Sequence, residues 1–265
     1  MPLEKGSLVL VDYTARVKDT NDIFDTTQEE EAKKTKFYDP THKYEPRIVS
    51  VGESWVLKGL DEALSNANVG DKLNIEVPPE KGFGKRDDSK IRMIPQRKLG
   101  DKADEVGVGD EIEIDNRRAI VRYVGSGRIQ VDFNHRFAGK TLVYDANVLK
   151  KLDSDNEKIS ALIKRRMGID ENKLQINLAS PNLEIQLPED AYLAEGLQIV
   201  KRAVANDIFK FVPTIKNIKF IESYQAPGPA TTEQKKDEQS QEQRQQPQQE
   251  QQEQSKVEAT AEAKQ

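Results

Sequence analysis

The side chains able to do covalent chemistry are scarce in this sequence. Its 265 residues contain no cysteine and two histidines, His42 and His135. Disulfides, thiolate nucleophiles, iron–sulfur centres and the common structural zinc sites are therefore excluded together. His42 stands alone in a polar stretch, where a histidine without converging partners is a bystander, and His135 is expected to steady its own loop. Gly82-Phe-Gly84 is a Gly-x-Gly fragment, but it follows Pro-Pro-Glu-Lys and no helix clearly begins after it, so it carries no dinucleotide signature. The common nucleophilic, metal and nucleotide mechanisms lack their parts, and no cofactor and no metal are expected. What remains is an inventory of aromatics and aliphatics with isolated carboxylates, suited to binding.

The elements that must position these residues can be read from periodicity. Leu8-Val-Leu-Val-Asp-Tyr-Thr-Ala-Arg-Val17 mixes a buried apolar run with alternation and predicts a strand, closed by turn residues Asp19 to Asp22. Residues 26–47 form a polar surface excursion with room for one helical turn. Val56, Leu57, Leu60 and Leu64 make an apolar stripe that predicts a short helix over 56–64. Lys72-Leu-Asn-Ile-Glu-Val77 alternates as a strand and stops at Pro78-Pro79. Three strands are predicted in Glu111–Ile114, Ala119–Val124 and Arg128–Phe133. Asp115-Asn116 and Gly125-Ser-Gly127 serve as their hairpin turns. Thr141–Leu149 is a further strand. Beyond Asp153 the pattern predicts a helix near 156–167, strands near 173–178 and 183–187, a helix near 189–205 and a strand near 209–222.

Hydrophobic residues make up 35% and charged residues 33% of the chain, too polar for one globular body of this length. The excess concentrates after Gln225 in a Gln/Glu-rich segment with nothing to bury, which reads as a disordered tail. A net charge of −5 gives no electrostatic case for nucleic acid or for an anionic membrane surface. No apolar run approaches the roughly 20 residues that span a bilayer, and the N-terminus lacks a signal-peptide pattern, so a cytoplasmic protein is expected.

Tyr13, Ile23-Phe-Asp25, Val51-Gly-Glu-Ser-Trp-Val-Leu-Lys-Gly-Leu60, Gly70-Asp71, Val77-Pro-Pro-Glu-Lys-Gly-Phe-Gly84 and Leu142-Val-Tyr-Asp145 occur in an order that resembles FKBP-type peptidyl-prolyl cis/trans isomerases. The resemblance covers about residues 4–152. It is closer to the SlyD-like branch, because a strand meander is inserted before the last strand and is followed by Asn134-His-Arg-Phe-Ala-Gly139. The block after Asp153 looks like the extension of the long archaeal members. The fold so implied is α+β: a half-wrapped antiparallel sheet over a short helix, with a small inserted β domain and a C-terminal α-β-β-α-β domain. The implied division is 1–88 and 133–152 for the isomerase domain, 89–132 for the insert, 153–224 for the C-terminal domain and 225–265 for the tail.

The resemblance places Tyr13 and Asp25 as catalytic orienters. Phe24, Val56, Leu57, Leu60, Phe83, Phe137 and Tyr144 fall on its substrate groove. Read without it, Val56, Leu57 and Leu60 are core residues of a helix stripe and Asp25 caps a turn. Leu60 stands where many relatives carry tryptophan, and Phe83 where many carry tyrosine, which removes a hydroxyl able to bind a substrate carbonyl. Arg47 occupies a position often aromatic or aliphatic. Trp55, one residue before the groove positions, is expected as half-buried packing at the helix start. The implied activity is acceleration of X–Pro isomerisation in folding chains, with a chaperone role for the insert. The implied partners are unfolded or proline-containing polypeptides. The rival reading is a chaperone or scaffold whose groove has decayed. The tail has neither His nor Cys, so the metal site of some relatives is not expected, and the C-terminal block is suited either to homodimerisation or to client binding.

Overall fold

A computed structural model describes residues 3–102, 105–224 and 226. The tail expected over 225–265 lies, apart from residue 226, outside the described residues. The molecule combines antiparallel sheets with few helices.

The first apolar run forms strand β1 (Leu8–Val17), and its mixed pattern has a physical cause. Val9, Val11, Tyr13, Ala15 and Val17 face one core, while Leu8 and Leu10 face a second core on the opposite side. Successive strand side chains point to opposite faces, so a strand covered on both sides reads as continuous apolar sequence. It pairs with β2 (Ile23–Thr26), β3 (Arg47–Ser50) and β9 (Leu142–Lys151), and β9 pairs in turn with β4 (Lys72–Val77), all antiparallel. The register sets Tyr13 opposite Ala146, and Tyr144 between Ala15 and Ile75. The polar excursion holds one turn, α1 (Glu29–Ala32).

Helix α2 (Lys58–Leu64) lies over this sheet with Leu60 and Leu64 buried. Gly59 makes the close approach possible, since a Cβ there would come within 2.8 Å of the Val77 side chain. The helix is shorter than the predicted 56–64, and Val56 and Leu57 precede it. The buried Asp61 carboxylate accepts backbone N–H bonds from Gly52 at 2.7 Å and Ser54 at 2.9 Å, and both residues sit at positive φ. That tie folds residues 52–57 into a loop, so the apolar stripe continues past the end of the helix.

The second sheet has the order β5 (Ile91–Pro95), β8 (Arg128–Asp132), β7 (Arg117–Gly125) and β6 (Glu111–Ile114). Asp115-Asn116 and Ser126-Gly127 all take positive φ, the twist that tight hairpins require. Strand β5 has no alternation to announce it, and ends on Pro95, which an edge strand tolerates. Ile114, Ala119, Ile129 and Val131 are the buried centre of this sheet.

The remaining elements are α3 (Asp155–Met167), β10 (Gln175–Ala179), β11 (Asn182–Gln186), α4 (Leu197–Phe211) and β12 (Asn217–Ile221), with β12 parallel to β11. A Ser154/Glu157 capping box starts α3, and Gly168 at φ 67° ends it. The predicted helix over 189–205 is displaced. Glu189–Ala191 is a single 3-10 turn, Gly196 at φ 72° blocks helical continuity, and α4 runs on through Phe211. Leu193, inside the predicted helix, is 97% exposed, and the final strand is confined to 217–221. Ile159, Leu162, Ile163, Leu183, Ile185, Val204 and Ile208 share one core with Leu8, Ile48 and Leu152 of the first sheet.

Candidate active site

The nine residues expected at the groove come from six separate segments and line one cavity of about 320 Å³. Tyr13 is on β1, Phe24 and Asp25 on β2, and Tyr144 on β9. Val56 and Leu57 lie in the loop before α2, and Leu60 is on its first turn. Phe83 follows the 3-10 turn Pro79–Lys81, and Phe137 belongs to the return loop after β8. The volume is at the small end of ligand pockets, about 300–1,000 Å³, and suits a side chain of proline's size with its flanking amide.

Aromatic rings supply most of the wall. Phe24 packs on Phe137 with centroids 4.5 Å apart and meets Tyr144 edge-on at 6.2 Å; Phe83 lies 5.5 Å from Phe137. Tyr13 and Tyr144 approach to 5.7 Å. Offset and edge-on contacts of this kind fix ring orientation beyond what burial alone achieves.

The Tyr13 hydroxyl donates to Asp25 Oδ2 at 2.7 Å, and Arg47 reaches the same oxygen at 3.5 Å with its guanidinium 5.4 Å from the Tyr13 ring centre. Burial, reinforced by the Asp25 charge, pushes the Tyr13 phenol far above its ordinary range, and the same two causes act on Tyr144. Both phenols therefore stay protonated as donors. Placed this way, Asp25 fixes the direction of the Tyr13 hydroxyl.

Four lining residues were not among the expected site residues: Arg47, Trp55, His135 and Arg136. His135 stacks on Phe83 at 4.1 Å and accepts the Phe137 backbone N–H at Nδ1. Burial, aided by the neighbouring Arg136 charge, lowers its pKa, so it presents a neutral ring. Arg136 covers the Phe137 ring at 4.5 Å. The loop role expected for His135 is present, but its ring is also wall, because the hydrophobic pattern around it is too short to show which side faces inward. Asp61, which ties down the 52–57 loop, left no signal apart from its place in the helix. His42 packs edge-on against Tyr44, away from the cavity.

A second cavity of about 610 Å³ adjoins the first, shares His135 and Arg136 with it, and is otherwise lined by β6–β7 residues and the return loop, including Glu111, Arg118, Ile120 and Phe133. Among the described residues no group of three or more His, Cys, Asp or Glu side chains is arranged to hold a metal ion, and no helix is long and apolar enough to cross a membrane.

Residues 2–99 match the family model described as FKBP-type peptidyl-prolyl cis-trans isomerase, and residues 155–225 match one described as FKBP26_C-terminal. The chain is 34% identical over 155 residues to the short-type peptidyl-prolyl cis-trans isomerase of Methanocaldococcus jannaschii, an alignment covering 58% of this chain and 98% of that protein. It is 26% identical over 152 residues to the FKBP-type 16 kDa peptidyl-prolyl cis-trans isomerase of Escherichia coli, covering 56% and 93% of the two chains. To the FKBP-type isomerase SlyD of Helicobacter pylori it is 23% identical over 155 residues, covering 57% and 76%.

Proposed function

Because this chain belongs to the FKBP-type peptidyl-prolyl cis/trans isomerases and accelerates rotation about X–Pro bonds, we propose that the rotation takes place in the cavity between β1, β9 and α2. The convergence of Tyr13, Phe24, Asp25, Val56, Leu57, Leu60, Phe83, Phe137 and Tyr144 on one cavity carries this reading.

Rotating an amide costs about 18–20 kcal/mol because resonance is lost, and an X–Pro bond left alone takes tens to hundreds of seconds. The planar amide is the more polar state. A wall of Phe24, Val56, Leu57, Leu60, Phe83 and Phe137 strips water from it, which penalises the planar form more than the twisted one. That difference is transition-state stabilisation without a covalent intermediate. Tyr13, fixed by Asp25, is the polar group that orients the substrate. Phe83 brings no hydroxyl, but its stacking on His135 keeps that wall intact, which favours a working groove over a decayed one.

The same proposal divides the chain into an isomerase domain over 1–88 and 133–152, an insert over 89–132 and a C-terminal domain over 153–224. The insert would hold nonnative chains. Strands β5 and β6 are the edges of its sheet; Met93 is exposed on β5, Val108 just before β6 and Tyr123 on the interior strand β7. Edges of this kind accept an extended peptide through backbone hydrogen bonds.

The experiment is refolding of a protein whose slow phase is a prolyl isomerisation, with catalytic amounts of the wild type and of Tyr13→Phe. The wild type is expected to accelerate the slow phase. Losing a hydrogen bond to a charged group, about 1.5–3 kcal/mol, is expected to lower the acceleration by roughly tenfold or more in the variant. Full activity in Tyr13→Phe would remove Tyr13 and Asp25 from the mechanism.

A further inference from the structure

Trp55 is the one residue lining the cavity that packs against the second core instead of the core of its own sheet. Val56 and Leu57, its chain neighbours, pack against the core under the first sheet, whereas Trp55 packs against the core built by α3 and α4. Its ring meets Phe211 of α4 edge-on at 5.4 Å, and the Arg165 guanidinium of α3 lies 3.8 Å from the ring centre. Arg165 is tied in turn to Asp207 of α4 at 3.8 Å. Ion pairs fasten the same stretch of chain on both sides: Lys164 to Glu45 at 2.5 Å, and Lys210 to Glu53. The indole thus stands at the seam of two cores, lining the cavity on one side and clamped from α3 and α4 on the other.

We infer that the C-terminal block completes the isomerase cavity: Arg165 and Phe211 are positioning residues that hold Trp55 as a preformed wall against the substrate. This rests on the cavity being the site of isomerisation. The physical reason is preorganisation. A loop residue with one face toward solvent has several rotamers, and ordering it during binding costs affinity; held beforehand, it costs nothing. The Methanocaldococcus jannaschii relative aligns over 98% of its own length with only 58% of this chain, so the longer chain carries segments that this relative lacks.

Trp55 is the only tryptophan, so its fluorescence reports the wall directly. The test measures binding of a Leu-Pro tetrapeptide, acrylamide quenching of Trp55 and the isomerisation rate at saturating peptide, in the full chain. In Arg165→Gln and in Phe211→Leu, peptide Kd is expected to rise about two- to tenfold, the cost of ordering one side chain, with greater quenching and an unchanged saturated rate. Ile185→Val trims the same core by one methylene in β11 while leaving Trp55, Arg165 and Phe211 in place, and is expected to match the wild type in all three. Unchanged Kd in both clamp variants overturns the inference, as does an equal rise in Ile185→Val, which would show only general loosening. Phe83→Ala separates the two levels. If it weakens binding while the clamp variants do not, the clamp alone is wrong; if it leaves Kd unchanged, the cavity reading fails and takes the clamp with it.

Discussion

The two antiparallel sheets of residues 3–152 bury themselves to very different depths. The sheet that carries the cavity is covered on both faces, by α2 on one side and by α3 and α4 on the other, and β1 contributes to both cores. The inserted sheet of β5–β8 buries few apolar side chains, Ile114, Ala119, Val121, Ile129 and Val131, with Ile94, Leu99, Ile112, Val124 and Phe133 half-covered. Its Met93 is 51%, Tyr123 48% and Val108 66% exposed. The contrast fits the two proposed tasks. A cavity that distinguishes a planar from a twisted amide must keep its walls fixed, whereas a surface that holds many different chains needs reachable apolar groups and open strand edges. A thin core supplies the second at the expense of local stability.

Ile129→Ala should have the largest effect. Ile129 is fully buried in this small core, and removing its side chain costs about 2–5 kcal/mol. The inserted sheet is expected to lose amide exchange protection and suppression of client aggregation. Tetrapeptide isomerisation should stay within about twofold of wild type, since distant sites couple by a few tenths of a kcal/mol. A parallel collapse of both activities would break the comparison.

The joint between the sheets comes next. The Asp132 side chain at the end of β8, 1% exposed, receives Arg86 at 2.6 Å and Arg122 at 3.2 Å. It also accepts the Asn134 backbone N–H at 3.0 Å and side-chain amide at 2.7 Å. Burial alone would raise its pKa, but the Asn134 donors and the Arg86 and Arg122 charges outweigh it, and the group is held below the ordinary range. With the folded value below the unfolded one of about 3.9, this stabilisation is present above that pH and is lost as pH falls through the folded value. Asp132→Asn is therefore expected to cost about 1–3 kcal/mol at pH 7, at the low end because both arginines remain partly in water. Thermal melts should show the gap between variant and wild type closing in acid; a gap independent of pH would mean that shape rather than charge holds the joint.

Arg47→Gln should be the mildest change. The side chains of Arg47 and Asp25 are 54% and 38% exposed, and pairs so placed are worth less than about 1 kcal/mol, so kcat/KM should shift by under about fivefold. A loss of orders of magnitude would make Arg47, through its place over the Tyr13 ring, part of the rigid wall rather than its rim.

Legibility followed the range of the interactions involved. β1, β4, β9 and the three hairpin strands were readable because alternation and turn residues are local, as Asp115-Asn116 and Ser126-Gly127 show. The capping box of α3 was equally local in origin. The start of α4 was not, because an apolar stripe extends through Leu193 while Gly196 alone dictates that the chain there is not helical. Val56 and Leu57 fit a helix until the Asp61 carboxylate takes the N–H groups of Gly52 and Ser54. Trp55 could be seen to be half-buried, but its two neighbours lie more than a hundred residues away in sequence, and no spacing announces them.

By itself the sequence carried, in the order of its motifs from Tyr13 to Asp145, the resemblance that implies the reaction, and the pattern of half-buried surfaces. Without cysteine and nearly without histidine, it lacked the parts of thiolate chemistry and of Cys/His metal sites, and the alternation in its strands showed that faces would be covered. Only the tertiary structure decided what covers each face. Two cores share β1, His135 turns its ring onto Phe83, and α3 and α4 close the cavity wall at Trp55. Periodicity records that a side chain must leave water, whereas the partner that receives it is set by packing between segments far apart along the chain.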